Sequence, residues 1–150
     1  MKGDKMNIYI ASSWKNAEAV LALKSELEEW GHIVDAFVDV SNGRYVFSFS
    51  EIGNVEQLNA INFLHDERAQ KAFTEDRKWL DWCDCCLLLL PAGKSAHLEA
   101  GYAKGQNKKL VIYQTSFPVG EFDVMYGFAD LISDDLFEIK KFLTGEDIIK

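Results

Sequence analysis

Residues 85–103 read CCLLLLPAGKSAHLEAGYA, and this stretch decides the fold. Its first half is a short apolar run that ends at Pro91, which is typical of a strand buried on both faces of a parallel sheet. Gly93 then permits a tight turn, and Ser95 is a suitable N-cap for the helix-forming segment that follows. The stretch therefore predicts a strand, a sharp turn and a helix in direct succession.

Glu99 lies one turn inside this predicted helix, directly above Ser95. In an open parallel sheet, ligands bind outside the carboxyl ends of the strands, so the Glu99 carboxylate can point toward a binding crevice. The alternative is that Glu99 only complements the helix dipole. A capping box would place an acid at position 98, where the chain has Leu98. The residues alone support both interpretations of Glu99.

Composition argues against several classes of protein. The chain has 150 residues, 48% hydrophobic and 27% charged, as expected for one globular domain over residues 1–150. Its net charge of −8 argues against nucleic acid as a partner, because phosphate binding needs a basic surface. A small anionic ligand can still bind at a helix N-terminus. No segment predicts a signal peptide or a membrane span, so we expect a cytoplasmic protein with no membrane partner.

The three cysteines, Cys83, Cys85 and Cys86, form a Cys-x-Cys-Cys cluster. No second pair of ligands accompanies them, so we expect reduced thiols packed around a buried strand rather than a metal site. Gly-x-Gly-x-x-Gly is absent after the first predicted strand, and Leu88 occupies the place of the upstream glycine of a Walker motif. The sequence therefore predicts no metal and no cofactor.

Apolar periodicity predicts strands and helices in alternation along the chain. Strands are predicted over residues 6–11, 32–40, 85–90, 110–113 and 129–132, and helices over residues 14–30, 55–64, 67–82, 95–105 and 135–143. Residues 41–54 interrupt this rhythm, and we interpret them as a loop folded over the crevice, with a short edge strand or hairpin arm as the alternative. The alternation predicts an α/β fold with a doubly wound, five-stranded parallel sheet in three α/β/α layers.

Three groups of residues together resemble one known family. They are residues 8–14, which end in Ser-Ser-Trp, the pair Asp76 and Asp84, and residues 95–103. This pattern is similar to that of the nucleoside 2-deoxyribosyltransferases. It is most similar to a branch with a Ser-Ala-His-Leu-Glu segment and a Met-Tyr pair further along, here at positions 125–126. The similarity covers nearly the whole chain and implies a flavodoxin-like fold with a site at the carboxyl edge of the sheet.

The resemblance implies a catalytic role for two carboxylates. In the family, a glutamate in the position of Glu99 attacks the anomeric carbon of a 2′-deoxynucleoside, and an aspartate in the position of Asp76 helps to hold the sugar and position the nucleophile. A covalent deoxyribosyl-enzyme forms and is consumed by a second base or by water. A neighbouring subunit commonly completes the family's site, so a homo-oligomer is expected. The residues expected to bind the small-molecule nucleoside or nucleotide are Tyr9, Ser12, Trp14, Gly93, Ser95, His97, Asp123 and Met125.

The sequence departs from the family at two turns. Many transferases carry an acidic residue about six positions before the nucleophile, where this chain has Gly93, and residues 12–13 replace a glycine-containing turn. The group that protonates the departing base is therefore open between Ser95, His97 and Asp123, and His97 is alternatively a structural, hydrogen-bonded residue. Two other functions fit the same residues. They are a 2′-deoxynucleoside 5′-phosphate N-hydrolase and a non-catalytic nucleotide-binding or sensing module.

Overall fold

The structure is a computed structural model that describes residues 5–39, 44–45 and 57–145. Its strands are β1 (Asn7–Ala11), β2 (Ile33–Ala36), β3 (Cys85–Leu89), β4 (Lys109–Tyr113) and β5 (Leu131–Ser133). Its α-helices are α1 (Ala17–Glu29), α2 (Ala60–Phe63), α3 (Glu67–Trp82), α4 (Lys94–Gly105) and α5 (Leu136–Thr144). Within the described residues the strands form one all-parallel sheet in the order β2-β1-β3-β4-β5. The predicted flavodoxin-like α/β fold is confirmed.

The central strand, β3, explains why the deciding stretch contains an unbroken apolar run. All five residues of β3 are buried, and they alternate between two hydrophobic cores. Cys85, Leu87 and Leu89 pack with the buried residues of α1 and α5 on one face of the sheet. Cys86 and Leu88 pack with those of α3 and α4 on the other face. A strand covered by helices on both faces needs apolar residues at every position, which gives the three layers.

The strand order reverses between β1 and β3, which are hydrogen-bonded neighbours in the sheet. The crossover from β1 to β2 runs through α1 on one face, and the crossover from β3 to β4 runs through α4 on the opposite face. The two connections therefore diverge at the carboxyl ends of β1 and β3. Ligands bind at this kind of switch point in doubly wound sheets.

The helix after β3 begins earlier than the sequence predicts. Gly93 is the N-cap in an extended conformation, and its carbonyl oxygen accepts the first intrahelical bond from the His97 amide at 3.3 Å. The prediction of Ser95 as the N-cap is therefore wrong. Because the chain turns into the helix directly after Ala92, Ser95 falls in the first turn with an exposed side chain. An N-terminus open to water does not need a side-chain cap.

Two strands also differ from their predicted bounds. β2 ends at Ala36 instead of residue 40, because the amide of Asp39 donates to the carbonyl of Ala36 at 3.0 Å and closes a turn. The last strand covers Leu131–Ser133 instead of residues 129–132, because Ala129 is bonded back to Tyr126 at the end of a 3₁₀ helix.

Several helices also differ from their predicted bounds. Residues 14–16 form a 3₁₀ turn before α1, and α5 is capped by Asp135, whose side chain accepts from the Phe137 amide at 2.9 Å. The helix predicted over residues 55–64 is only the short α2, capped by Asn59. Residues 55–56 lie outside the described residues, as does most of the loop predicted over residues 41–54, of which Arg44 and Tyr45 are described.

The cysteine cluster lies in the interior. Cys83, Cys85 and Cys86 are buried and unpaired, and burial raises the pKa of the Cys83 thiol to about 11. Thiols in such surroundings stay protonated and unreactive. None of the described helices is long and apolar enough to cross a membrane. No group of three or more metal-ligating side chains is found within residues 5–39, 44–45 and 57–145.

Candidate active site

The centre of the site is a hydrogen bond between β1 and α4. Tyr9 is 1% exposed and belongs to the core that packs β3 against α3 and α4. Its hydroxyl donates to Glu99 Oε2, and Glu99 is half-buried in the second turn of α4. The strand fixes the tyrosine and the helix fixes the glutamate, so both side chains are held by regular structure.

Burial controls the protonation of this pair. The pKa of Glu99 is raised to about 7, with burial as the largest cause and the negative charge of Asp76 acting in the same direction, while the Tyr9 hydrogen bond and the charge of Arg44 limit the rise. Burial also raises the pKa of Tyr9 well above its usual value, with the Glu99 charge acting in the same direction. Tyr9 therefore remains a hydrogen-bond donor, while Glu99 titrates close to neutral pH.

Asp76 on α3 belongs to an ion network that the sequence did not reveal. Arg44 is 6% exposed, and its Nε donates to Asp35 Oδ1 of β2 at 3.0 Å. Its Nη1 donates to Asp76 Oδ1 at 2.9 Å. Burial raises the pKa of both carboxyl groups, and the Arg44 charge opposes that rise. Arg44 lies in the segment that the sequence analysis interprets as a loop, and no local pattern predicts its partners.

Glu99 and Asp76 share a cavity of about 510 Å³, which we call the Glu99 cavity. The described residues that line it come from the facing surfaces of α3 and α4, and they are Phe73, Asp76, Arg77, Leu80, Ser95, Leu98, Glu99 and Tyr102. The α4 members follow helical spacing, which puts them on one side of the helix. The structure thus brings together both predicted catalytic carboxylates and two predicted binding residues, Ser95 in the cavity and Tyr9 bonded to Glu99.

Four other predicted residues gather elsewhere. Gly93, His97, Asp123 and Met125 line a second cavity of about 590 Å³, which we call the His97 cavity. Because α-helical residues rotate by about 100° each, His97 and Glu99 point in nearly opposite directions from α4. The structure does not bring His97 or Asp123 to Glu99 within one chain.

His97 and Asp123, two polar side chains that line the His97 cavity, already have hydrogen-bond partners. His97 Nδ1 is 2.7 Å from the Gly93 carbonyl oxygen, and its Nε2 is 3.1 Å from the Tyr126 hydroxyl. Its ring stacks on that of Tyr126 with centroids 5.9 Å apart. The Asp123 carboxylate accepts from the Met125 amide at 2.8 Å and so caps a 3₁₀ helix. The contact between His97 and Tyr126 attaches the loop after β4 to α4.

Ser12 and Trp14 lie at the carboxyl end of β1. The Ser12 hydroxyl donates to the Leu89 carbonyl oxygen at 2.8 Å and accepts from Asn16 Nδ2 at 3.3 Å, so it ties β1 to β3 at the switch point. Trp14 is 51% exposed and meets Phe37 edge-on at 5.1 Å between ring centroids. Trp14 is thus half exposed at the carboxyl edge of the sheet, and it lines neither the Glu99 cavity nor the His97 cavity.

Comparisons with known proteins agree with this architecture. No family model matches the sequence, and no curated protein matches it. A 2-deoxyribosyltransferase from the psychrotolerant bacterium Bacillus psychrosaccharolyticus is similar in structure, with a TM-score of 0.64, 16% identity, and 89% of this chain and 90% of that chain covered. The CMP N-glycosidase BcmB from Clostridium botulinum is similar with a TM-score of 0.53, 16% identity, and 91% of this chain and 97% of that chain covered. The chain therefore has the flavodoxin-like fold of a 2-deoxyribosyltransferase and a CMP N-glycosidase.

Proposed function

We propose that this protein is a nucleoside 2-deoxyribosyltransferase-like enzyme. It cleaves the N-glycosidic bond of a 2′-deoxynucleoside through a covalent deoxyribosyl intermediate on Glu99. The observation that carries the proposal is the Tyr9–Glu99 pair, a half-buried carboxylate held by a tyrosine hydroxyl at the wall of a cavity that also presents Asp76. The fold shared with a 2-deoxyribosyltransferase supports the same reaction class.

Two displacements complete the proposed reaction. In the first, a Glu99 oxygen forms a bond to C1′ while the bond from C1′ to the base nitrogen breaks, and the base leaves with the electron pair and gains a proton. In the second, a nitrogen of an incoming base or a water oxygen attacks C1′, the bond from C1′ to Glu99 breaks, and the incoming group loses a proton. Each displacement inverts C1′, so the overall reaction retains configuration.

Tyr9 suits the first displacement. Its hydroxyl stays protonated because its pKa is raised by burial, and it donates to Oε2, which leaves Oε1 as the attacking oxygen. A hydrogen bond to the ionised form also favours the carboxylate over the carboxylic acid. Tyr9 therefore orients the nucleophile and keeps more of it charged.

The remaining residues have separate roles in the proposal. Asp76 accepts a hydrogen bond from a sugar hydroxyl in the Glu99 cavity. Trp14 provides a face for the base at the end of β1. Of the three candidates for protonating the departing base, Ser95 lines the Glu99 cavity, whereas His97 and Asp123 line the other cavity. A small-molecule nucleoside or nucleotide is the proposed partner, and the cytoplasm the proposed location.

A homo-oligomer is part of the proposal. The loop after β4 exposes large apolar side chains, namely Val119, Phe122, Val124 and Met125. Clusters of exposed apolar residues mark surfaces that associate with other proteins. Light scattering on the eluate of a sizing column should give a multiple of 17.0 kDa, and a value equal to one chain would contradict this part of the proposal.

Intact-protein mass spectrometry tests the reaction directly. Wild type, Glu99→Gln and the control Glu18→Gln, which changes an exposed glutamate on α1, are incubated with 2′-deoxynucleosides and quenched in acid. Wild type and the control should gain the mass of one deoxyribosyl group and release free base, and Glu99→Gln should do neither. Binding without an adduct or released base would favour a nucleotide-binding or sensing module instead.

A second candidate is hydrolysis of a nucleoside 5′-monophosphate. It is favoured by the similarity to a CMP N-glycosidase and by Arg77, an exposed cation that lines the Glu99 cavity. The same incubations with 5′-monophosphates decide between the candidates. Faster release of base from nucleotides, with no transfer to an added free base, would favour the hydrolase.

A further inference from the structure

We propose that Arg44 is a positioning residue for the reaction, because it fixes the Asp76 carboxylate at the wall of the Glu99 cavity by bridging β2 and α3. This inference rests on the proposed function for its catalytic consequence. The bridge itself is observed directly. Arg44 Nε lies 3.0 Å from Asp35 Oδ1, and Arg44 Nη1 lies 2.9 Å from Asp76 Oδ1. Arg44 does not line the Glu99 cavity and so acts through Asp76.

The geometry of the guanidinium suits this role. Asp35 is held on two oxygens, since Nε is also 3.3 Å from Oδ2, and both Arg44 and Asp35 are buried. Asp76 accepts from one nitrogen of Arg44 and is partly exposed toward the cavity. One carboxylate therefore anchors the arginine, and the arginine in turn orients the carboxylate that faces the ligand. A rigid, planar donor can hold two partners at a fixed angle, which a lysine cannot do.

The chain around Arg44 is docked to the same helix by a second contact. The ring of Tyr45 lies 4.2 Å from the ammonium of Lys71, one and a half turns before Asp76 on α3. Arg44 Nη1 also donates to the Tyr45 carbonyl oxygen at 3.3 Å. Nη2 has no hydrogen-bond partner within the described part of the chain.

The charges around Asp76 indicate how the removal of Arg44 would affect its carboxyl group. The charged groups that act on its carboxyl group are Arg44, which lowers its pKa, and Glu75, which raises it, while burial raises it most. Asp76 in turn acts on Tyr9 and Glu99 across the cavity. Removing Arg44 should therefore release Asp76 from its fixed position and also favour its protonated form.

Carboxyl ¹³C titration tests the bridge without requiring any activity. Wild type, Arg44→Met and the control Lys104→Met, which breaks a 2.8 Å ion pair with Asp130 elsewhere, are labelled at the aspartate and glutamate carboxyl carbons. Asp76→Asn and Glu99→Gln assign the two signals. The midpoint of Asp76 should move to higher pH in Arg44→Met and stay in place in Lys104→Met. An unchanged Asp76 midpoint in Arg44→Met would overturn the proposal.

Kinetics then test the positioning role. Arg44→Met should lower kcat/KM for the best 2′-deoxynucleoside by about 100-fold, mostly in kcat, because misplaced catalytic groups cost this much. The double variant Arg44→Met/Asp76→Asn should be no slower than Asp76→Asn, since both changes remove the same effect. Multiplying losses would overturn the proposal. If wild type releases no base, the proposed function fails and the titration alone decides the role of Arg44.

Asp35→Asn provides a second variant in case Arg44→Met does not fold. It keeps an acceptor for Nε and removes one of the two carboxylates that share the arginine charge. The Asp76 midpoint should then move to lower pH, opposite to its shift in Arg44→Met. A shift to higher pH, or none, would contradict the bridge.

Discussion

The Glu99 cavity and the His97 cavity lie against opposite faces of α4, and their polar groups are in different states. Glu99 and Asp76 are carboxyl groups whose pKa values are raised by burial, and both line an open cavity. His97 is bonded at both ring nitrogens, and the Asp123 carboxylate caps a short helix. One face keeps titratable groups available to a ligand, and the other uses its polar groups to hold a loop.

This difference indicates which face of α4 carries the groups suited to catalysis. Groups that a protein desolvates and places near other charges are costly to keep, and they cluster at functional sites. Groups with satisfied hydrogen bonds and solvent contact stabilise the fold without such cost. The Glu99 face of α4 is of the first kind and the His97 face is of the second, although only one residue separates Glu99 from His97.

The largest expected effect is the loss of activity on changing the nucleophile. Glu99→Gln should lower kcat/KM by about 10⁴-fold or more, since an amide cannot form the covalent intermediate and removal of a nucleophile has effects of this size. Base release measured by chromatography checks this value, with Glu18→Gln as the matched control. Residual activity close to that of wild type would show that Glu99 is not the nucleophile and that its face of α4 differs from the His97 face in no catalytic respect.

The next effect concerns the hydroxyl that holds Glu99. Tyr9→Phe removes the hydrogen bond that lowers the pKa of Glu99, so that pKa should rise above its value of about 7 in wild type. The acid limb of kcat/KM, set by ionisation of the nucleophile, should lie near pH 7 in wild type and move to higher pH in the variant. At pH 7 the loss should be about 10-fold to 100-fold, as for one hydrogen bond to a charged group.

Tyr113→Phe is the matched control for this measurement, because it removes a tyrosine hydroxyl from β4 on the opposite face of the sheet. Its pH profile should overlay that of wild type. An acid limb in Tyr9→Phe at the wild-type position would show that another group sets the profile.

The fold could be predicted from the sequence because its signals are local. The apolar run of β3 and the spacing of apolar residues in α1 and α3 each identify one element, and their alternation identifies the sheet. The start of α4 was less predictable, because Gly93 and Ser95 both suit an N-cap and the choice depends on where the preceding turn closes.

The site was predictable only in part. The resemblance drew attention to Glu99, Asp76 and Tyr9, which the structure gathers across 90 positions of separation between Tyr9 and Glu99. The role of Arg44 could not be predicted, because an ion pair across 32 positions leaves no periodic signal in the sequence. His97 is close to Glu99 along the chain, but helical rotation sends it to the other face of α4. Asp123 belongs to the loop after β4 and lines the His97 cavity.

A smaller effect links function to stability. Unfolded Glu99 titrates near its ordinary pKa of 4.5 and folded Glu99 near 7. Between these values the folded state binds more protons than the unfolded state, so this residue lowers the free energy of unfolding as pH rises. The free energy of unfolding of Glu99→Gln should therefore rise by about 1–3 kcal/mol relative to that of wild type when the pH goes from 4 to 8. Urea unfolding at the two pH values checks this, and a difference independent of pH would contradict it.

The smallest effect on catalysis should come from the His97 face. His97→Ala removes the bond to Tyr126 and the stacked ring, so it should lower the free energy of unfolding by about 1 kcal/mol, as expected for one hydrogen bond. Its kcat/KM and acid limb should stay close to those of wild type, because His97 lies away from Glu99 within the chain. Urea unfolding and a pH profile measure both quantities. A large loss of kcat with an unchanged free energy of unfolding would contradict this prediction. It would require that the His97 face of one copy meets the Glu99 cavity of another copy. A mixture of inactive Glu99→Gln and His97→Ala chains would then regain activity.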